Sequence, residues 1–166
     1  GAAHKGLLFL PCELIDKNGE TLKKIVLRYA EEWQLGEAFI KWVNHCNAFC
    51  NTLVDRIVTG YNREEAVKAG MADDLLFDTS ELFHLWVIEG GGQYERELPF
   101  AKAGLHVVWT DDMSLYRTRK VRILNGTHTM TVLAAYLCGL DTVEDCLRDD
   151  TIRAMLERGG YEEIIP

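Results

Sequence analysis

Apolar residues at helical spacing alternate along this chain with short, continuous apolar runs. The first run, Leu7–Leu10, is typical of a strand buried on both faces, and it ends at Pro11. Two amphipathic helices are predicted next, with apolar stripes at 22–33 and, after Gly36, at 39–46. Further elements are predicted by the runs at 53–58, 82–89 and 105–109, which favour strands, and by the charged segment 63–70, which favours a short helix.

The pattern changes near residue 110, beyond which no strand signal follows. A long helix is predicted from the pair Asp111-Asp112 to the stop residue Gly139. Thr142 begins a second helix with capping-box spacing, and Asp150 begins a third. The sequence therefore predicts an α/β part with mixed strand pairing, followed by an all-helical part.

Composition narrows the functional classes. The 166 residues include 18 Lys and Arg against 26 Asp and Glu, which gives a net charge of −8. This balance argues against binding to bulk nucleic acid or to anionic lipid, since both require a broad cationic face. No apolar run approaches the roughly 18 residues of a membrane span. We expect a small-molecule partner.

The cysteines indicate a reducing compartment. There are five cysteines, an odd number, and their spacing is irregular, so we expect no disulfide framework. We expect reduced thiols and a cytoplasmic location. His45, Cys46 and Cys50 lack the further ligands that would complete a metal site, and we expect no metal.

Four cations lie within the six residues Arg117–Arg122 of this acidic chain. At about 100° per residue, Lys120, Asn125 and His128 fall within an arc of about 140° on one helix. A desolvated lysine next to other cations can exchange a proton near neutral pH, and an amide and an imidazole can hold a developing alkoxide. The alternative is a solvated helix face or a module that binds an anionic ligand without catalysis.

Two polar residues elsewhere are candidate ligand contacts. Glu13 follows the first predicted strand, and ligands of open α/β sheets bind beyond the carboxyl ends of strands. Asn51 precedes the next predicted strand. The alternative for Glu13 is a loop carboxylate that caps a turn, and the alternative for Asn51 is an ordinary turn residue.

The segment Lys120–His128, with the letters KVRILNGTH, resembles the KxRxLNGxH signature of the mannitol dehydrogenase family, the polyol-specific long-chain dehydrogenases. Three further segments, LPCELIDKNG at 10–19, CNTLVDRI at 50–57 and LWVIEG at 85–90, are similar to the branch of the family that acts on sugar acids. The resemblance covers nearly the whole chain.

The resemblance implies a fold and a reaction. Residues 1–110 are expected to be the C-terminal part of a Rossmann-like cofactor domain, and residues 111–166 the first helices of the helical substrate domain. The implied reaction is the reversible, metal-independent reduction of the keto sugar acid tagaturonate to altronate by NADH, in hexuronate catabolism. Related reactions, the reduction of fructuronate or the oxidation of a mannitol-type polyol, are the alternatives.

The resemblance also implies roles for individual residues. Lys120 matches the catalytic lysine, Asn125 and Asn51 match amides that hold the reacting oxygen, and His128 matches a histidine that positions the substrate. Arg122 supplies countercharge for an acidic substrate. Glu13 is expected to contact the cofactor.

The chain departs from the family at its Gly-rich dinucleotide fingerprint, which is absent from this sequence. We therefore expect a middle portion of a longer protein, and an isolated piece with little or no activity.

Overall fold

The computed structural model describes residues 5–165, and the chain divides into two compact units, Gly1–Met113 and Ser114–Pro166. Among the described residues, the first unit contains strands, three α-helices and two short 3-10 helices (Gly92–Tyr94 and Phe100–Ala103), and the second contains only helices. In chain order the elements of the first unit are β1 (Leu8–Phe9), α1 (Asn18–Glu32), α2 (Glu37–Cys46), β2 (Ala48–Phe49), β3 (Asn51–Asp55), α3 (Arg63–Lys68), β4 (Leu85–Glu89) and β5 (Val107–Thr110). Those of the second unit are α4 (Ser114–Thr118), a π-helix (Arg119–Asn125), α5 (Gly126–Leu137), α6 (Val143–Arg148), α7 (Asp150–Arg158) and a short π-helix (Gly159–Ile164).

The strands of the first unit pair in both senses. β1 and β2 are parallel, whereas the central strand β4 runs antiparallel to β3 and parallel to β5. Val87 and Ile88 in β4 are fully buried, as expected for the middle strand of a sheet covered on both faces. The predicted α/β class with mixed pairing is confirmed.

Strand boundaries differ from those expected. β3 begins at Asn51 instead of Leu53 and ends at Asp55, and the chain beyond it bonds to residues 79–81 instead of continuing the pairing with β4. The Ile57 amide donates to the Glu81 carboxylate (2.7 Å), and the Arg56 guanidinium donates to the Glu81 carbonyl (2.9 and 3.0 Å). The first strand contains only two residues, which are half-buried instead of buried on both faces.

Helix α1 begins at Asn18, although the pair Asn18-Gly19 is typical of a turn. Gly19 makes this start possible, because a Cβ at that position would lie 2.4 Å from the Cys50 carbonyl oxygen. A residue without a side chain is therefore needed for the first turn of α1 to pack directly on the backbone that leads into β3.

The second unit encloses a small core of Ala135, Cys146 and Ile152. The Thr142 hydroxyl caps α6 by accepting from the Asp145 amide (3.1 Å), as predicted. Helix α7 begins at Asp150, as predicted, and the Asp149 carboxylate caps it. Within residues 5–165, no helix is long and apolar enough to cross a membrane.

Candidate functional site

The predicted long helix is interrupted by the π-helix Arg119–Asn125, which contains three of the candidate site residues, Lys120, Arg122 and Asn125. Its hydrogen bonds join residues five apart, as in the bond from the Gly126 amide to the Val121 carbonyl. Lys120 and Asn125 are five apart and therefore share one face, instead of being separated by the 140° of a regular α-helix. The assumption of uniform α-helical geometry was wrong here, and the observed geometry brings the lysine and the amide into closer alignment.

The side chains on this segment differ in exposure. Lys120 is half-buried and Asn125 is exposed. π-Helical turns occur frequently at functional sites, because the widened turn offsets the side chains that follow it. The local backbone therefore supports a functional interpretation of the lysine–amide pair.

His128 lies in the first turn of α5, three residues after Asn125, and is exposed. It lines a cavity of about 350 Å³ whose other walls come from α5, α6, α7 and the α5–α6 connection. Most of the lining side chains are apolar or hydroxyl-bearing, among them Val132, Tyr136 and Leu156. The imidazole thus occupies the polar rim of an otherwise largely apolar cavity.

The arginines near Lys120 have different surroundings. The Arg119 guanidinium lies over the Tyr116 ring, 5.8 Å from its centroid, so a cation–π contact occupies it. Arg117 is half-buried, whereas Arg122 is exposed on the π-helix. Of these arginines, Arg122 is the one that the sequence singled out for an acidic substrate, and its exposure suits that role.

Asn51, in the first unit, is 7% exposed and its amide makes several hydrogen bonds. The carbonyl oxygen accepts from the Glu20 amide (3.1 Å), and the nitrogen donates to Glu89 Oε2 (2.9 Å) and to Glu20 Oε1 (3.3 Å). The bond from Asn51 holds the pKa of the Glu20 carboxyl below its ordinary value. The orientation of the Asn51 amide is therefore fixed, with its nitrogen toward two carboxylates.

Asn18 is the most extensively hydrogen-bonded side chain near Asn51, and it is 3% exposed. Its nitrogen donates to the carbonyls of Pro11 (2.9 Å), Glu13 (3.1 Å) and Thr52 (3.1 Å), and its oxygen accepts from the Thr52 amide (2.8 Å). The side chain thereby ties the loop after β1 to β3. The Glu13 side chain itself is exposed.

A cleft of about 640 Å³ opens where β1 ends. Its walls are mostly apolar, from β1 and α1, with Cys12 and Glu13 in the loop between them. Burial is the main cause that raises the pKa of the Cys12 thiol, and the nearby Glu13 carboxylate raises it further. No Lys or Arg is among the described lining residues.

Sequence reasoning did not identify Asn18, Glu20 or Glu89. Asn18 precedes glycine, a pair that is typical of a turn, and Glu20 resembles an ordinary first-turn carboxylate. Glu89 ends a strand just before Gly90-Gly91-Gly92, and its position at a strand end was the only available signal. Among the described residues, no group of three or more His, Cys, Asp or Glu side chains is arranged to hold a metal ion.

Comparison with known proteins gives two matches that follow one another along the chain. Residues 1–102 match the model of the mannitol dehydrogenase Rossmann domain, and residues 112–166 match that of the mannitol dehydrogenase C-terminal domain. The change between the matched models falls close to the division between the two compact units.

Curated relatives match over the whole chain. It is 52% identical to altronate oxidoreductase of Shigella flexneri and 51% identical to that of Escherichia coli O6:K15:H31. Each alignment covers 100% of this chain and 35% of the relative. The chain thus spans about a third of the length of these curated relatives.

Solved structures show the same fold. A D-sorbitol dehydrogenase in substrate-free form, 29% identical, superposes with a TM-score of 0.77 over 97% of this chain and 32% of its own. The mannitol 2-dehydrogenase of Pseudomonas fluorescens, in a ternary complex with NAD and D-mannitol, is 24% identical and gives 0.67 over 97% and 32%. Together with the two domain models, which cover most of the residues, these matches show that the chain belongs to the mannitol dehydrogenase family.

Proposed function

We propose that this protein is an NAD-dependent altronate oxidoreductase, which interconverts the keto sugar acid tagaturonate and altronate by hydride transfer. The observation that carries the proposal is the segment Lys120–His128, in which Lys120 and Asn125 lie five residues apart in a π-helix. The identity of about 52% to altronate oxidoreductases over the whole chain supports the choice of a sugar acid as the substrate.

The proposed chemistry divides a two-electron reduction between a hydride and a proton. The hydride would come from NADH when that cofactor is bound, and the Lys120 ammonium donates a proton to the oxygen that becomes the hydroxyl. In the reverse direction the neutral lysine removes that proton. The Nδ2 groups of Asn125 and Asn51 donate hydrogen bonds to the oxygen while it carries negative charge.

The remaining candidate residues bind and orient. His128, on the rim of the cavity in the second unit, would position the substrate hydroxyls, and Arg122 would neutralise the substrate carboxylate. Glu13, beside the cleft at the end of β1, would contact the cofactor. We assign residues 1–110 to the C-terminal part of a Rossmann-like cofactor domain and residues 111–166 to the first helices of the substrate domain.

The five free cysteines support the proposal that the protein works in the cytoplasm, where thiols stay reduced. Its place in metabolism would be hexuronate catabolism, with a small sugar acid as the partner. Tagaturonate is the proposed substrate, and fructuronate and mannitol represent the two alternative reactions, so these three substrates are compared.

The test uses the full-length protein. We expect NADH oxidation with tagaturonate at a kcat/KM well above that for fructuronate, and little NAD reduction with mannitol. Preference for fructuronate or mannitol would assign the protein to another branch of the family. If the protein turns over none of the three substrates, the proposal is refuted.

Substitution of Lys120 separates proton transfer from charge. Both Lys120→Ala and Lys120→Arg should lose most of the turnover, because a guanidinium cannot cycle its proton near neutral pH. Lys102→Ala, at an exposed lysine of the first unit, is the matched control and should retain wild-type turnover. An active Lys120→Arg variant would favour a non-catalytic anion-binding role for the cationic segment.

A further inference from the structure

Glu89 occupies a junction for which the proposed mechanism provides no role. It is the last residue of β4, pairs in register with Asn51 across the antiparallel ladder, and is half-buried. Its carboxylate accepts two hydrogen bonds, one at each oxygen. Oε2 accepts from Asn51 Nδ2 (2.9 Å), and Oε1 accepts from the Met113 backbone amide (3.0 Å).

Both donors are buried. Asn51 is 7% exposed and Met113 is 5% exposed, so each bond lies where water competes poorly. Met113 is the last residue of the first unit, and the chain continues directly into α4 and the π-helix that contains Lys120. One carboxylate therefore holds the amide of a proposed oxygen-binding residue and also the backbone amide of the last residue of the first unit.

The contacts of Asn51 define what the carboxylate controls. An amide side chain can occupy its site in two orientations, which exchange a carbonyl acceptor for an NH₂ donor. The Glu20 amide requires an acceptor on one side, and Glu89 requires a donor on the other. With Glu89 ionised, only the orientation with Nδ2 toward the carboxylates satisfies both partners.

The second N–H of Asn51 has a weaker partner. It meets the exposed Glu20 carboxylate at 3.3 Å, against 2.9 Å for the bond to Glu89. An exposed carboxylate exchanges readily with water, so this N–H is the one that a substrate oxygen can recruit while the bond to Glu89 stays in place.

We propose that Glu89 is a positioning residue that orients the Asn51 amide to donate to the reacting oxygen. This inference rests on the proposed function, because it assigns Asn51 to the stabilisation of negative charge. Glu89 itself does not touch the substrate. Its loss should lower kcat more than it changes KM, since the Asn51 bond strengthens as charge develops.

The test compares full-length variants at saturating NADH over a range of tagaturonate concentrations, which gives kcat and KM. Glu89→Gln can keep the bond to Met113 only by presenting its NH₂ to the NH₂ of Asn51, so the Asn51 amide must turn or move. We expect kcat to fall about 10- to 100-fold, as is typical when a supporting partner is lost, with KM within about threefold of wild type. Glu95→Gln removes an exposed carboxylate from the segment that follows β4 and should leave both constants unchanged.

A double variant separates positioning from simple structural support. In Asn51→Asp with Glu89→Gln, the hydrogen bond between the two side chains returns with donor and acceptor exchanged. The melting temperature should therefore recover in part, because the introduced carboxylate faces that of Glu20. Turnover should stay low, because the introduced carboxylate has no N–H for the substrate oxygen. Recovery of wild-type kcat in this variant would overturn the proposal.

The outcomes are distinguishable from those of the function test. If the wild-type protein does not reduce tagaturonate, the proposed function fails first. If the wild type is active and Glu89→Gln keeps kcat within about threefold of it, the positioning role fails alone. Should Glu89→Gln not fold, Glu89→Asp preserves the charge with a shorter reach, and a wild-type kcat there refutes the proposal in the same way.

Discussion

Replacement of Asn18 by alanine should be among the most destabilising single changes in the first unit. The side chain is 3% exposed, and its amide links three backbone carbonyls to the amide of Thr52. Alanine has no group that replaces these bonds, and the buried position gives water little access. The Thr52 amide and carbonyl would lose the partners that join β3 to the start of α1.

The expected magnitude follows from the groups left unpaired. A buried polar group without a partner costs about 1–3 kcal/mol, so the amide and the carbonyl of Thr52 together give about 2–6 kcal/mol. Partial relaxation of the loop at Pro11 toward water lowers this range, and we expect a loss of about 3 kcal/mol in the free energy of unfolding. For a domain with a urea m-value of about 2 kcal/mol/M, the midpoint should fall by about 1.5 M.

The assay is equilibrium urea unfolding of the chain, followed by far-ultraviolet circular dichroism. Asn62→Ala is the matched control, because the exposed Asn62 side chain caps α3 through the amides of Glu64 (2.9 Å) and Glu65 (3.2 Å). Loss of such a cap costs about 1 kcal/mol. If Asn18→Ala destabilises the chain no more than Asn62→Ala does, the amide of Asn18 is not the structural link described above.

Three further predictions concern pH, capping and thiol reactivity. In the folded chain the Asn51 amide is the main cause that lowers the pKa of Glu20 from 4.5. The contribution of Glu20 to stability is therefore present above pH 4.5 and is lost as the pH falls through the folded pKa. Glu20→Gln should flatten this part of the acid-unfolding profile. Thr142→Ala removes the α6 cap and should cost about 1 kcal/mol in urea unfolding, and an unchanged midpoint would argue against the cap. Burial raises the pKa of the Cys50 thiol, so iodoacetamide should modify the exposed Cys138 well before Cys50. Mass spectrometry of the peptides measures the order, and modification of Cys50 before Cys138 would contradict the prediction.

Local signals predicted the helices well. The apolar stripes located α1 and α2, and Thr142 and Gly139 marked the ends of helices, because each of these signals acts within a few residues. The strands were predicted less accurately, since their ends depend on distant partners. β3 stops at Asp55 because Glu81, more than 20 residues away, takes the hydrogen bonds of the chain that follows.

The candidate site was predictable only where it lies within one segment. The spacing of Lys120, Asn125 and His128 is visible in the sequence, although apolar periodicity does not distinguish a π-helical turn from an α-helical one. The contacts of Glu89 join three separate segments, and no local pattern reports such a junction. Asn18 was misread because the close approach of Gly19 to Cys50, which turns a favoured turn into a helix start, is also non-local.

The persistence of the π-helix has its own explanation in the residues that follow it. A widened turn weakens the regular pairing of backbone carbonyls, and threonine hydroxyls in helices can bond to carbonyls three or four residues earlier. The Thr127 hydroxyl donates to the carbonyls of Ile123 (2.6 Å) and Leu124 (3.0 Å), and the Thr129 hydroxyl donates to that of Asn125 (2.9 Å). These bonds stabilise the carbonyls at the end of the widened turn, which is the turn that aligns Asn125 with Lys120. The threonines on either side of His128 thus support the backbone geometry that the proposed proton transfer requires.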